Sequence, residues 1–215
     1  GKDRTFLRQV FKMGLRAAVI SDLKTSPLWD IGNRANLKRW DEHELAFLDN
    51  QKVTFIATIY NTYPSIISSL ISQIHKDWEL ILIHDGPNET DIKQIVDKTE
   101  DKRIRYIETQ DRKGNYGHPL RQWALDQIRK KNLAKDSKYL VITNSDNYYT
   151  PVFCEYMIKG FTNNPNAVGV FCKKMTHSYR AWDSQECRLE RGYIDCGGMM
   201  LKKEAAISVG WKDTV

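Results

Sequence analysis

The sequence predicts an α/β fold, a doubly wound and mostly parallel sheet preceded by a helical N-terminal extension. Three observations carry this. The runs 53–59, 78–83 and 139–142 are apolar or β-branched at nearly every position, as in strands buried on both faces. Amphipathic helical patterns alternate with them, which implies right-handed crossovers between parallel strands. Three of the helical segments open at a proline (Pro64, Pro119, Pro151), where a missing N–H costs nothing.

Taken in order, residues 1–50 read differently from the rest. Phe6, Leu7, Val10, Phe11, Leu15, Ala18 and Val19 recur at helical spacing with basic residues between them. Such a helix packs on its own domain or lies on a membrane surface, so peripheral membrane contact stays open. Ser26-Pro27 and Ile31-Gly32-Asn33 break the pattern, and a short helix is expected over 41–48. The polar residues 49–51 mark the boundary into a main domain, 51–215.

In that domain Pro64 opens a helix whose apolar face is Ile66, Ile67, Leu70, Ile71 and Ile74. A second strand ends at His84-Asp85-Gly86-Pro87, and Asn88 to Asp91 supply cap residues for a helix to about Lys98. The run 104–107 alternates, as expected of a more exposed strand. After a polar loop, Pro119 opens a helix with Leu120, Trp123, Ala124 and Ile128 inward. A strand at 139–142, a helix from Pro151 to about Phe161 and a strand over 167–172 follow. Residues 173–191 are irregular and read as a loop or short antiparallel excursion over the ligand side. The run 193–201 reads as a strand with a glycine pair, which removes side chains where something approaches closely. Residues 203–209 form a last short helix.

Composition bounds the class. At 215 residues, 41% hydrophobic and 28% charged, the chain can build a core, and no apolar run reaches the roughly 18 residues of a membrane span. Cys154, Cys172, Cys187 and Cys196 show no C-x-x-C pairing, so reduced thiols in a cytoplasmic protein are expected and zinc is not. Residues 102–135 hold ten basic residues against three acids, net +7, which suits an anionic ligand or a solvated basic face.

The stretch 139–151 is the most informative. An apolar strand stops at Asn144-Ser145-Asp146-Asn147, and a helix follows Pro151. Asp146 therefore stands at the C-terminal end of a buried strand, where open α/β sheets bind ligands. A carboxylate there holds a divalent cation and through it phosphates, or caps the next helix.

Four motifs in order resemble family 2 glycosyltransferases of the GT-A fold: 52–61, 79–88, Asn144-Ser145-Asp146-Asn147 in the place of the D-x-D metal motif, and 197–202 as the acceptor-side strand. The resemblance spans about 52–212. It implies transfer of a sugar from a nucleotide-diphospho-sugar, UDP-sugars first, to a glycan, lipid or protein hydroxyl, with inversion. It further implies that Thr58 and Tyr60 line the base pocket and that Asp85 accepts a hydrogen bond from the base. Asn144 or Ser145 would face the ribose. Asp146 would bind Mn²⁺ or Mg²⁺, and Arg112, Lys113 and Arg121 would contact donor phosphate or sugar. His118 and His177 would help with phosphate or metal, or be structural. No nucleic-acid partner is expected; that reading rests on the basic window alone.

Two departures stand out. Asn144 replaces the first acid of D-x-D, and His84 replaces the first acid of the second-strand pair. No residue maps onto the family's catalytic base, so that base is expected beyond residue 215, with the domain truncated there. A catalytically silent nucleotide-sugar-binding module is the non-enzyme alternative. A sugar-phosphate nucleotidyltransferase would need a glycine-rich basic loop after the first strand, and Tyr60-Asn61-Thr62-Tyr63 is unlike one. A dinucleotide oxidoreductase would need G-x-G-x-x-G there, which is absent.

Overall fold

A computed structural model describes residues 17–19, 48–60, 64–87, 91–178, 181–185 and 195–211; for 17–19, 174–178 and 181–185 it describes the backbone alone. The strands are β1 (Ala17–Val19), β2 (Val53–Ile59), β3 (Trp78–His84), β4 (Ile104–Glu108), β5 (Tyr139–Asn144), β6 (Gly169–Phe171), β7 (Lys174–Ser178), β8 (Ala181–Gln185) and β9 (Met199–Lys202). The α-helices are α1 (Ser65–Ile71), α2 (Ile92–Thr99), α3 (His118–Arg129), α4 (Phe153–Asn163) and α5 (Lys203–Val209).

The main sheet runs β1-β6-β9-β5-β2-β3-β4. Every pairing in it is parallel except those of β9, which is antiparallel to both β5 and β6. From β2 the chain builds outward through β3 and β4, then crosses back to β5 on the other side of β2. The strand order thus reverses between β2 and β5, which is where a doubly wound sheet opens a crevice at its carboxyl ends.

The continuous apolar runs explain the layering. Val53, Phe55, Ala57 and Ile59 face a core shared with α1, α2 and α4, while Ile56, Ile81, Ile83, Leu140 and Ile142 face α3 and α5. Each central strand therefore buries both faces, which only near-continuous apolar sequence can satisfy. β4 is partly exposed, as its alternation predicts.

Several expectations change. Ala17–Val19 pairs as a strand with β6 rather than continuing a helix; the remaining calls on 1–47 lie outside the described residues. Ile71 and Ile74 are exposed, because α1 stops at Ile71. Trp123 is 37% exposed, and the inward positions of α3 go to Leu120, Arg121, Ala124, Leu125 and Ile128. The antiparallel alternative expected at 173–191 does hold there, as a hairpin of β7 and β8. The proposed strand 193–201 is shorter: Cys196–Gly198 form a 3₁₀ turn and only Met199–Lys202 pair. His177 and Cys187 lie outside the described side chains.

Glu155, in the first turn of α4, is buried, and neither of its oxygens is properly hydrogen-bonded. Burial pushes its carboxyl up to about 7; the backbone N–H groups of Glu155 and His75 and the Lys76 ammonium offset this only in part. The folded state therefore binds the proton more tightly than the unfolded chain, and stability falls as pH rises from near 4.5 through about 7. Glu155→Gln is expected to stabilise the fold at pH 8 by about 1–3 kcal/mol and to change it little at pH 4. Urea unfolding at both pH values checks this; an equal effect at both would contradict it.

Candidate functional site

The crevice is built from strand ends. In the parallel register Thr58 of β2 lies beside Asn144 of β5, and Ile59 beside His84 of β3. Arg121 reaches this junction from α3 and is 2% exposed. Its Nη1 donates to the Tyr116 carbonyl (3.0 Å) and to His118 Nδ1 (3.2 Å). Its Nη2 donates to Thr58 Oγ1 (3.2 Å) and to Asn144 Oδ1. One guanidinium thus ties the two strands that flank the switch point.

His118 is buried and sits under Trp211, whose Nε1 donates to the same Nδ1 at 2.8 Å, with the rings stacked 5.7 Å apart. Trp211 also lies 5.1 Å from the Arg121 guanidinium, and its backbone N–H donates to Gln122 Oε1 (2.6 Å). These contacts dock the end of α5 onto α3.

The loop before α3 has an unusual backbone. Gly114, Asn115, Tyr116 and Gly117 have φ of 62°, 51°, 53° and 74°, a single left-handed turn closed by the Gly117 N–H donating to the Gly114 carbonyl (3.1 Å). Left-handed backbone at a tyrosine is strained and persists only when its surroundings over-determine it. Two contacts do so. Asp85, buried at the end of β3, accepts the Lys113 N–H on one oxygen (2.6 Å) and the Gly114 N–H on the other (2.9 Å). At the far end Gly117 lies so close to Thr58 that an added Cβ would come 2.7 Å from Thr58 Cβ. The turn presents Tyr116 outward, 90% exposed.

The other predicted residues divide. Tyr60 is exposed, with the Arg112 guanidinium 3.7 Å above its ring. Lys113 is exposed and meets Asp85 through its backbone. Ser145 is buried; its N–H donates to the Thr58 carbonyl (3.3 Å) and its carbonyl accepts from the Ile66 N–H (3.0 Å). It pins the strand end to α1. Asp146 is exposed and makes no hydrogen bond or ion pair to a described residue. His84 explains its own departure: buried, it donates through Nδ1 to the Gly86 carbonyl (2.8 Å) and so closes the turn after β3.

Sequence reasoning named the acceptor-side strand 197–202 but missed the hydrogen bonds that build this opposite wall. The buried Tyr149 hydroxyl lies 2.7 Å from Thr143 Oγ1 and donates to the Gly197 carbonyl (2.9 Å). Burial raises its pKa well above the usual phenol value. Asn147 Nδ2 donates to Thr143 Oγ1 (2.8 Å), and Asp195 Oδ1 accepts the Gly197 N–H (2.8 Å). A Cβ on Gly197 would come 2.5 Å from Asn147 Nδ2. The glycine pair therefore marks close approach by the chain itself. Among the described residues no group of three or more His, Cys, Asp or Glu gathers as a metal cluster, and no helix is long and apolar enough to cross a membrane.

A switch-point crevice with a buried cation on one side and a free strand-end carboxylate on the other defines an α/β domain suited to a phosphorylated ligand. The sequence profile of glycosyl transferase family 2 matches residues 54–209, and the chain belongs to that family. It is 30% identical over 100 residues to the bifunctional glycosyltransferase pgtA of Dictyostelium discoideum, covering 46% of this chain and 12% of that protein. To protein CgeD of Bacillus subtilis (strain 168) it is 28% identical over 140 residues, 59% of this chain and 30% of the relative. The fold is similar to that of Staphylococcus aureus TarS solved with UDP, at a TM-score of 0.58 and 17% identity, covering 74% of this chain and 48% of that one. TarS with UDP-GlcNAc gives 0.56 and 17%. The chain spans less than half the length of each of these proteins.

Proposed function

We propose that this domain binds a nucleotide-diphospho-sugar, with a UDP-sugar first among the candidates, and transfers the sugar to an acceptor hydroxyl. The observation that carries the reading is Arg121, a buried cation fixed at the switch point by four neutral acceptors. A nucleoside diphosphate is a leaving group whose charge must be met, and a preorganised cation meets it without reorganising. The TarS complexes with UDP and UDP-GlcNAc, on a similar fold, support the uridine donor.

Asp146 suits a divalent ion. Its carboxylate is exposed and unengaged at the end of β5, and one carboxylate with substrate phosphates and water is an ordinary ligand set for Mg²⁺. Mn²⁺ or Mg²⁺ held there would neutralise charge on the departing diphosphate. Tyr60 and Arg112 offer a flat stack for the base, and Asp85 holds the loop that carries Arg112 and Lys113 in place. Asn144, whose amide oxygen is already taken by Arg121, offers its NH₂ to the ribose. Across the crevice, the turn at 196–198 packs on Asn147, Thr143 and Cys172 and would form the acceptor-side wall. In an inverting reaction a base takes the acceptor proton as the hydroxyl displaces the nucleotide from the opposite face of the sugar.

Asp146→Ala is expected to keep the fold and to remove the Mn²⁺-dependent part of nucleotide affinity. Calorimetry with UDP, GDP, CDP and dTDP, with and without Mn²⁺, makes the comparison. Unchanged Mn²⁺ dependence in the folded variant would sink the metal assignment.

A further inference from the structure

A buried guanidinium is ordinarily balanced by a carboxylate, because an uncompensated charge away from water is costly. Arg121 has no such partner: among the described residues no carboxylate lies within ion-pair reach of it. Its four Nη hydrogens go to the Tyr116 carbonyl, His118 Nδ1, Thr58 Oγ1 and Asn144 Oδ1, and its Nε–H has no partner. None of these acceptors carries a formal charge. His118 presents its Nδ1 lone pair to two donors, Arg121 Nη1 and Trp211 Nε1, so it meets Arg121 as an acceptor.

Asn144 is the acceptor through which this balance can be changed with least disturbance. An aspartate at 144 would accept from Nη2 in the same geometry and cancel the charge. The amide makes the same hydrogen bond and cancels nothing.

We propose that Asn144 keeps Arg121 as an uncompensated resident cation, and that the site therefore binds a diphosphate in part without any divalent ion. This rests on the donor reading and deepens it: residue 144 sets how the diphosphate charge is shared between the guanidinium and a metal at Asp146. An electrostatic attraction to a group already in place needs no reorganisation when the ligand arrives. Asn144→Asp would shift that share toward the metal, both by pairing with Arg121 and by adding a carboxylate two residues from Asp146.

Calorimetry tests this with UDP, GDP, CDP, dTDP and inorganic pyrophosphate, each in EDTA and in Mn²⁺. The wild type should bind at least one nucleoside diphosphate in EDTA, and Mn²⁺ should tighten it. Asn144→Asp should weaken the EDTA affinity by about tenfold or more, the scale of a charge-assisted interaction, and Mn²⁺ should recover part of the loss. Asn144→Ser, which removes the amide and its ribose contact without adding charge, should lose clearly less EDTA affinity than Asn144→Asp. Arg121→Gln should remove the metal-free component, and it carries the test if Asn144→Asp does not fold. Equal EDTA affinity in wild type and in either Asn144→Asp or Arg121→Gln would overturn the proposal. So would a loss in Asn144→Ser as large as that in Asn144→Asp. Wild-type binding seen only with Mn²⁺ would overturn it while leaving the donor reading standing. No binding of any diphosphate in either condition would overturn both.

Discussion

Gly117→Ala is expected to destabilise the domain by about 3 kcal/mol or more and to abolish tight nucleotide binding. Two costs combine at this one position. The backbone there has φ +74°, a conformation that costs an L-residue roughly 1 kcal/mol relative to glycine. The new Cβ would also overlap Thr58, at 2.7 Å from its Cβ and 3.1 Å from its Cγ2, and closer still to Oγ1. Thr58 cannot retreat easily, because β2 is hydrogen-bonded between β3 and β5. Any shift of its hydroxyl also breaks the bond from Arg121 Nη2. Urea unfolding and UDP titration of the variant read both effects. Adding Thr58→Ala removes two of the three overlapping atoms, so the double variant should recover stability relative to Gly117→Ala alone. A Gly117→Ala protein as stable as wild type would contradict the packing.

The second large effect is expected at Asp85. Its two oxygens accept two backbone N–H groups of the same loop, and the side chain is 4% exposed. Charge-assisted bonds to a buried carboxylate are worth about 1.5–3 kcal/mol each, so Asp85→Ala should cost about 3–5 kcal/mol in total. The loss should be local in character. Without the carboxylate the Lys113 and Gly114 amides lose their acceptors, and the start of the left-handed turn loosens. Hydrogen exchange should then show protection lost at the Lys113 and Gly114 amides while the β2 and β5 amides stay protected. Unchanged protection at those two amides would refute the clamp.

The sequence made the sheet legible because buried central strands leave a local signature. A run such as 53–59 has no polar alternation to confuse it with a half-exposed strand. The proline ahead of α1 and the one inside the first turn of α3 made two helix starts legible as well. Asp146 was legible as a strand-end carboxylate because it is a polar residue at the edge of an apolar run, whereas Arg121 was named only through the family resemblance. What stayed hidden depends on distant partners. Asp85 meets amides 28 and 29 residues away, and Trp211 meets His118 across 93 residues. No local pattern encodes either pairing. Trp123 illustrates the converse error. It fits the helical stripe, but Arg121 takes an inward place because two strand ends, the loop before its helix and the helix start together offer it four acceptors. The left-handed turn did have a signal, the sequence Gly114-Asn115-Tyr116-Gly117, since glycine and asparagine are the residues that tolerate positive φ.

The antiparallel run of β9 within the main sheet has a consequence for how such a domain can diversify. The parallel strands β2, β3 and β5 deliver their exits to the crevice, whereas β9 runs the other way and delivers its entrance, the Cys196–Gly198 turn. The two walls are thus written in separate stretches of chain: residues 54–146 on one side, and Tyr149 with 195–198 on the other. The segment between β6 and β9, which carries the β7–β8 hairpin, can lengthen or change without altering any register in the parallel half. On the proposed reading, variation on the acceptor side can then accumulate while the donor side is inherited intact.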